Sequence, residues 1–259
     1  MLAGGRASRR VAYGVAVALW QLTPAAGAAA ELAPRSGFDY ATPGIRAMQA
    51  DDSANPGMLW VAQGLALWNR TAGSAGKSCA DCHGAIAGMA GISYPRRDPR
   101  EPERLINLEL RVERCRSEHM GAPALGYESD ELLALTAAIR NQGRGRPAPI
   151  ADDPAAIAAG EAYFRKPRGQ LDLSCAQCHD RWAGRRLRDE TVSQGQSNGF
   201  PLYRVRWNGV GSLHRRFQVC NASVGAEPDA LGSQDYIALE WYLAWRGRGL
   251  PVETPAVRQ

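Results

Sequence analysis

The protein is a chain of 259 residues, of which 45% are hydrophobic and 22% are charged. This composition is typical of a soluble globular protein and excludes a fibrous, disordered or polytopic membrane chain. The formal net charge of +5 would suit a nucleic-acid-binding protein, but three of the arginines lie at the extreme N-terminus.

Residues 1–30 have the pattern of a secretory signal peptide. Three arginines within the first ten residues precede an apolar stretch, residues 11–22, and a run of small residues, 25–30, follows it. The apolar stretch is too short to span a bilayer. We therefore predict cleavage after Ala28 or Ala30, with a retained signal anchor as the alternative. The remaining chain has a net charge of +2 and is predicted to be a periplasmic protein with no membrane span and no nucleic-acid partner.

Two pentapeptides of the pattern C-x-x-C-H dominate the chemistry of the chain. Their cysteines and histidines are Cys79, Cys82 and His83 in the first and Cys175, Cys178 and His179 in the second. In c-type cytochromes the two thiols of this motif bond covalently to the porphyrin, and the histidine is the proximal iron ligand. One such motif could be a redox pair or half of a zinc site. Two motifs in one exported chain predict two covalently bound haem c groups.

An internal repeat places one motif in each half of the chain. The segment that begins at Gly64, ahead of Cys79, recurs 96 residues later at Gly160, ahead of Cys175. Each half is therefore predicted to contain a helix followed by a haem-binding turn.

The ends of the two halves also repeat. The segment that begins at Ser129 recurs 104 residues later at Ser233, with serine as the expected N-cap and apolar residues at helical spacing. The predicted fold is mainly α, with two cytochrome c-like helical domains in tandem, residues 31–150 and 151–259. Glycine, arginine, proline and aspartate cluster where the domains join, at residues 145–154.

The sixth iron ligand decides the function of each haem, because a distal methionine raises the reduction potential. No methionine lies beyond Met120, so the second haem cannot take one from its own half. Its candidates are His214 and Cys220.

For the first haem, Met89 lies only six residues after His83 and is too close in sequence to reach the opposite face. Cys115, His119 and Met120 remain as candidates.

Two cysteines, Cys115 and Cys220, are left over from the motifs. In an oxidising compartment they could form a disulfide with each other. However, Cys115 follows Cys79 by 36 residues, Cys220 follows Cys175 by 45, and each precedes a Gly-Ala pair. Equivalent positions in two separate domains favour equivalent local functions, which here means thiolate ligation of both irons. His119 and His214 are then interpreted as surface residues or neighbours of a ligand.

The second half is rich in arginine. From Arg165 to Arg216 the chain has ten arginines and one lysine against four acidic residues. Part of this run is typical of a solvated face or of contacts to haem propionates. Arg215 and Arg216 differ, because they precede Cys220 by five and four residues. A guanidinium there could hold a small oxyanion beside the sulfur and favour the thiolate.

These features together resemble the dihaem form of the SoxA family, the catalytic subunits of SoxAX cytochromes, which are L-cysteine S-thiosulfotransferases. The resemblance rests on the two motifs, residues 114–123 around Cys115, and the Arg-x-x-x-Cys segment 216–220. It covers about residues 45–250. It implies that Cys115 and Cys220 are the distal ligands of the first and second haem. It also implies that Cys220 is the catalytic sulfur nucleophile, found as a persulfide, and that Arg216 binds the substrate. Arg246 is a looser candidate for a second anion contact.

The reaction that the resemblance implies is an oxidative coupling of thiosulfate to a cysteine of the carrier protein SoxYZ. Two electrons would pass through haem to a SoxX-like small cytochrome c, bound as a heterodimer, and then to a soluble cytochrome c. Two alternatives stay open. One is a dihaem electron-transfer cytochrome without its own catalysis, and the other is a thiosulfate dehydrogenase that forms tetrathionate.

Overall fold

The computed structural model describes residues 1–5 and 33–259. The predicted signal peptide falls almost entirely on the residues between these ranges and so lies outside the described part of the chain. Pro34–Gln259 form one compact unit. Within the two described ranges, no helix is long and apolar enough to cross a membrane.

Residues 33–259 are mainly helical, in agreement with the predicted fold class. Their nine α-helices are α1 (Pro43–Ala50), α2 (Met58–Asn69), α3 (Cys79–His83), α4 (Leu108–Met120), α5 (Asp130–Asn141), α6 (Pro154–Arg165), α7 (Cys175–His179), α8 (Leu213–Ser223) and α9 (Gln234–Arg246). All of these except α2 begin after a Ser, Thr, Asn or Asp whose side chain accepts a hydrogen bond from the first turn. Such caps satisfy backbone donors that have no partner inside the helix, which fixes where each helix starts.

Short strands connect the helices. They are β1 (Arg96–Arg97), β2 (Leu105–Ile106), β3 (Arg186–Leu187), β4 (Glu190–Thr191), β5 (Leu202–Arg204), β6 (Gly209–Gly211) and β7 (Val257–Arg258). β1 pairs with β2 and β3 with β4 in antiparallel fashion. β5 is the central strand of a three-stranded sheet, antiparallel to β6 and parallel to β7. This sheet positions residues 202–204 beside the second half's site.

Each half is built on a pair of helices in direct backbone contact, α2 with α5 and α6 with α9. A Cβ atom at Gly64 would lie 2.0 Å from the carbonyl oxygen of Ala134, and one at Gly160 would lie 2.1 Å from that of Ala238. Only glycine lets the two backbones approach this closely. The sequence repeat is therefore also a repeat of the three-dimensional packing, since equivalent glycines mark equivalent helix crossings.

A buried polar network lies on α4, α8, α9 and the loop before α5. His214 is 1% exposed, and its Nδ1 lies 3.0 Å from Tyr127 Oη and accepts a hydrogen bond from the Gly232 amide, also at 3.0 Å. Its Nε2 lies 3.2 Å from Oε2 of Glu240. Burial, together with the nearby Glu240 carboxylate, raises the pKa of Glu109 to about 8. The interpretation of His214 as a surface residue is wrong, because its ring fills a buried hydrogen-bonding position. His119 is exposed.

Candidate haem and thiolate sites

The two C-x-x-C-H motifs form the short helices α3 and α7, each fixed by a capping box. Ser78 Oγ accepts a hydrogen bond from the Asp81 amide, and the Asp81 carboxylate accepts one from the Ser78 amide. Ser174 and Gln177 make the same pair of bonds in the second motif. Each box anchors the first turn, so that the cysteines are held on that turn and the histidine ends it.

In the described part of the chain, one buried arginine nitrogen near each pair of attachment cysteines has no hydrogen-bond partner. All six cysteines are free thiols. Burial raises the pKa of Cys79, against the effect of the Arg116 guanidinium. Burial and the charge of Cys220 raise the pKa of Cys175 to about 11, against the effect of Arg168. The two unpartnered nitrogens are Arg116 Nε and Arg168 Nη1, which are buried without an acceptor from residues 1–5 or 33–259. Haem propionates are suitable acceptors for such atoms, so the residues present fit one c-type haem at each motif.

The imidazole of His179 is held in one orientation by the loop that precedes β5. Its Nδ1 lies 2.8 Å from the carbonyl oxygen of Ser193. Because a carbonyl oxygen only accepts hydrogen bonds, Nδ1 donates to it, and Nε2 is the ring nitrogen left for another partner. Gly195, with a φ of +73°, packs so closely that a Cβ there would lie 2.9 Å from ring atoms of His179. This loop presents a metal-binding nitrogen on the side of the ring away from Ser193.

Cys220 lies on α8, close enough to His179 for the imidazole to lower its pKa. Burial by itself would raise the pKa of the Cys220 thiol. The Arg216 guanidinium, the His179 contact and Arg204 outweigh burial and bring the pKa to about 7, below the ordinary value of 9.0. Cys178 has its pKa raised, mainly by burial. The site therefore has one sulfur that favours the thiolate, opposite the imidazole that is predicted to bind iron.

The arginines near Cys220 differ in what they contact. Arg216 has no ion pair or side-chain hydrogen bond with another described residue. Arg215 stacks on Trp207, 4.3 Å from the ring centre, and its Nη1 lies 4.0 Å from Glu128. Of the two adjacent arginines, Arg216 is therefore the one available to an anion.

Arg246, the looser sequence candidate, has a different set of contacts. Its guanidinium contacts the Asp180 carboxylate and the Gln194 carbonyl oxygen, and it lies 5.0 Å from the ring centre of Phe164. Arg246 holds the loop around α7 together, and its charge is already matched by Asp180.

Arg204 is a functional candidate that the sequence interpretation missed. Its side chain is on β5, and its charge acts on Cys220. In the sequence it is one of ten arginines in a run that suggested a solvated face. The only signal was its place after the apolar pair Leu202 and Tyr203, which is too short a pattern to predict a buried strand.

The first half repeats this arrangement in part. Cys115 lies on α4 and acts electrostatically on Cys79. Trp68 packs beside His83, with ring centres 5.8 Å apart, and its indole donates a hydrogen bond to the Gly84 carbonyl oxygen. Cys115 and Cys220 thus lie near separate motifs, which agrees with separate local functions and not with a disulfide between them.

An arginine also precedes the first distal cysteine candidate by four residues. Arg111 stands before Cys115 as Arg216 stands before Cys220. The sequence shows this duplication directly, although the sequence interpretation considered only the arginines of the second half.

Comparison with known proteins gives consistent matches over most of the chain. Residues 63–148 and 159–252 match the family model described as SoxA/TsdA, cytochrome c domain. A protein of Pseudaminobacter salicylatoxidans named L-cysteine S-thiosulfotransferase subunit SoxA is 41% identical over 86% of this chain and 80% of its own length. The subunit of the same name from Paracoccus pantotrophus is 39% identical over 86% of this chain and 78% of its own. The crystal structure of SoxXA from P. pantotrophus superposes with a TM-score of 0.84 at 37% identity, covering 87% of each chain.

Proposed function

The chain belongs to the SoxA family of c-type cytochromes, and we propose that it is an L-cysteine S-thiosulfotransferase subunit that couples thiosulfate to a cysteine of a SoxYZ-type carrier protein. The observation that carries this proposal is a cysteine, Cys220, whose pKa is lowered to about 7 by Arg216, His179 and Arg204, together with an Arg216 guanidinium that has no partner among the described residues. A haem that served only for electron transfer would need neither a reactive sulfur nor an anion-binding arginine beside it.

The cofactors are two covalently bound haem c groups. Cys79 and Cys82 would hold the first covalently, and His83 and Cys115 would bind its iron. Cys175 and Cys178 would hold the second covalently, and His179 and Cys220 would bind its iron. The second haem would supply one-electron redox chemistry to the site. A thiolate ligand favours ferric iron, so the site has a low reduction potential and its cysteine sulfur can take part in the chemistry.

The role of Cys220 is to hold the thiosulfate group between two half-reactions. The Cys220 thiolate and thiosulfate join through a new sulfur–sulfur bond, which gives a Cys220-S-S-SO₃⁻ group and releases two electrons. The thiolate of the carrier cysteine then attacks the middle sulfur of that group, which lies between the Cys220 sulfur and the sulfonate sulfur. The bond from Cys220 breaks, the carrier leaves with the thiosulfate group attached, and the Cys220 thiolate is restored. Charge balances in both steps, and the carrier thiol loses one proton on entering.

Arg216 positions the anion for the first step. Two oxygens of the sulfonate end of thiosulfate match the fork of a guanidinium. With that end bound, the terminal sulfur of thiosulfate is directed at Cys220. Positioning of this kind lowers the entropic part of the barrier without any change at the cysteine itself.

The proposed partners follow from the electron balance. A low-potential site that releases two electrons needs an acceptor, and we assign this role to a SoxX-like small cytochrome c in a heterodimer. It would pass the electrons to a soluble cytochrome c. Thiosulfate and the carrier are the two substrates. The protein would work in the periplasm, where haem attachment to exported chains takes place.

The test is thiosulfate turnover by the haem-loaded heterodimer with oxidised cytochrome c, with and without the carrier. We expect cytochrome c reduction only when the carrier is present, and a carrier mass increased by one thiosulfate group. Tetrathionate formed at full rate without carrier would replace the proposal by thiosulfate dehydrogenase activity. No thiosulfate consumption under either condition would leave a plain electron-transfer cytochrome.

A further inference from the structure

Arg204 is held deep in the second half's site by its strand. Its backbone pairs with Gly209 of β6 on one side and Arg258 of β7 on the other. The residue is 6% exposed. A strand paired on both edges has little freedom, so the backbone of Arg204 is fixed, and its buried guanidinium is held by the hydrogen bond to Glu190.

The Arg204 and Arg216 guanidiniums belong to one cluster. Arg204 lies 5.3 Å from the ring centre of Trp207, and Arg215, the neighbour of Arg216, lies 4.3 Å from the same ring centre. Burial, and then the charge of Arg216, lowers the pKa of Arg204 to about 10. Cationic groups repel one another and are costly to bury without a compensating anion. An anion placed between the two guanidiniums would relieve that repulsion.

Glu190 partly compensates the charge of Arg204. Its Oε1 accepts a hydrogen bond from Arg204 Nη2 at 2.6 Å, while the Glu190 side chain is 28% exposed. Among the described residues, Arg204 Nε and Nη1 have no acceptor and Arg216 has no carboxylate partner at all. Glu190 Oε1 also lies 3.5 Å from Arg206 Nε, so this carboxylate is shared by Arg204 and Arg206, while Nε and Nη1 of Arg204 and the Arg216 guanidinium remain available to an anion.

We propose that Arg204 is a second substrate-binding residue, which together with Arg216 holds the sulfonate end of thiosulfate, and that Glu190 is the counterion that the substrate partly replaces. This inference rests on the proposed function. Thiosulfate carries two negative charges and three sulfonate oxygens, which suit two guanidinium forks better than one. The pair of arginines selects a small dianion, because a monoanion would leave one guanidinium without a matching charge.

The role of Glu190 gives the inference its sharpest consequence. If Arg204 binds the substrate, removing Glu190 takes away a competing negative charge, so thiosulfate should bind more tightly. If Arg204 serves only to pin the β3–β4 hairpin through Glu190, removal of either partner should damage the site in the same way. If Arg204 binds the substrate, loss of Arg204 raises the KM and loss of Glu190 lowers it. If Arg204 has only a structural role, both losses change the KM in the same direction.

The experiment is steady-state turnover of the haem-loaded heterodimer with saturating carrier, for Arg204→Met, Arg204→Lys and Glu190→Gln. We expect the KM for thiosulfate to rise at least tenfold in Arg204→Met, with kcat changed less, and to be partly restored in Arg204→Lys. In Glu190→Gln we expect the KM to fall. Arg186→Met, which removes an exposed charge of the same sign from β3, is the matched control and should leave the KM unchanged.

Two outcomes overturn the inference. One is an unchanged KM in Arg204→Met, and the other is an equal rise of the KM in Arg204→Met and Glu190→Gln. If Arg204→Met does not fold, as judged by its low-spin haem spectrum, Arg204→Lys and Glu190→Gln decide in the same way. Failure of the wild-type protein to couple thiosulfate to the carrier would instead refute the proposed function, so the two failures are distinguishable.

Discussion

Replacement of Gly195 by alanine tests whether the loop before β5 holds the His179 imidazole. Gly195 has a φ of +73°, and a Cβ there would lie 2.9 Å from Cγ and Nδ1 of the ring. The imidazole would have to move, and the hydrogen bond from Nδ1 to the Ser193 carbonyl oxygen would lengthen or break.

Two costs add in this variant. A non-glycine residue in the left-handed region loses about 1–2 kcal/mol. Overpacking against a well-packed ring adds about 1–3 kcal/mol, since carbon atoms prefer a separation of about 3.5 Å or more. We therefore expect Gly195→Ala to lower the free energy of unfolding by about 2–5 kcal/mol.

Gly126→Ala is the matched control. Gly126 has a φ of +90°, but a Cβ there would meet no atom within 4 Å. This variant should lose only the backbone contribution, about 1–2 kcal/mol.

The assay combines guanidinium chloride unfolding with electron paramagnetic resonance of the ferric protein. Gly195→Ala should shift the low-spin signal of the second haem and leave that of the first haem unchanged. Gly126→Ala should alter neither signal. If Gly195→Ala is no less stable than Gly126→Ala and keeps both signals, the loop does not position His179 and the argument for its role is wrong.

Three further substitutions test the site and the buried network. Arg216→Ala should lower kcat/KM for thiosulfate by about tenfold to a hundredfold, because a charge-assisted hydrogen bond contributes about 1.5–3 kcal/mol. The haem spectrum should stay unchanged. An unaltered rate would make this arginine part of the solvated face. Cys220→Met should abolish turnover and raise the reduction potential of the second haem in a potentiometric titration, and surviving activity would locate the sulfur nucleophile elsewhere. The raised pKa of Glu109, about 8, means that the folded protein binds this proton more tightly than the unfolded chain, so the stabilisation is complete below about pH 4.5 and is lost as the pH rises towards 8. Denaturant titrations of Glu109→Gln should therefore show a gain in the free energy of unfolding at pH 8 to 9 and a much smaller gain near pH 4.5. A gain that does not depend on pH would contradict this reasoning. An equal gain in the exposed control Glu103→Gln would also contradict it.

The helical part of the fold was predictable because its signals are local. Serine caps, C-x-x-C-H spacing and apolar periodicity act over a few residues, so α2, α5, α6 and α9 were predicted as helices and α3 and α7 as haem-binding turns. The repeat added the division into two domains, but the helices α4 and α8 in the middle of each half were not predicted. The strands could not be predicted in this way. β5 depends on partners that are brought together only by the folded chain.

The sequence predicted the chemistry of the candidate site but only some of the residues that form it. Cys220, Arg216 and His179 were identified from motifs and do lie together. Arg204 was missed because burial of an arginine depends on tertiary structure. Ligation of both irons by Cys115 and Cys220 stays a prediction, as does the division of the domains at residue 150.

The helix crossings at Gly64 and Gly160 limit which residues each half tolerates. The contact between α2 and α5, like that between α6 and α9, is made by backbone at a glycine. A side chain at either glycine would push the two backbones apart, and with them Trp68 and Phe164, which belong to the clusters that pack against the motif cysteines Cys79 and Cys175. The two glycines therefore help to set where each haem-attachment motif lies against its helix pair.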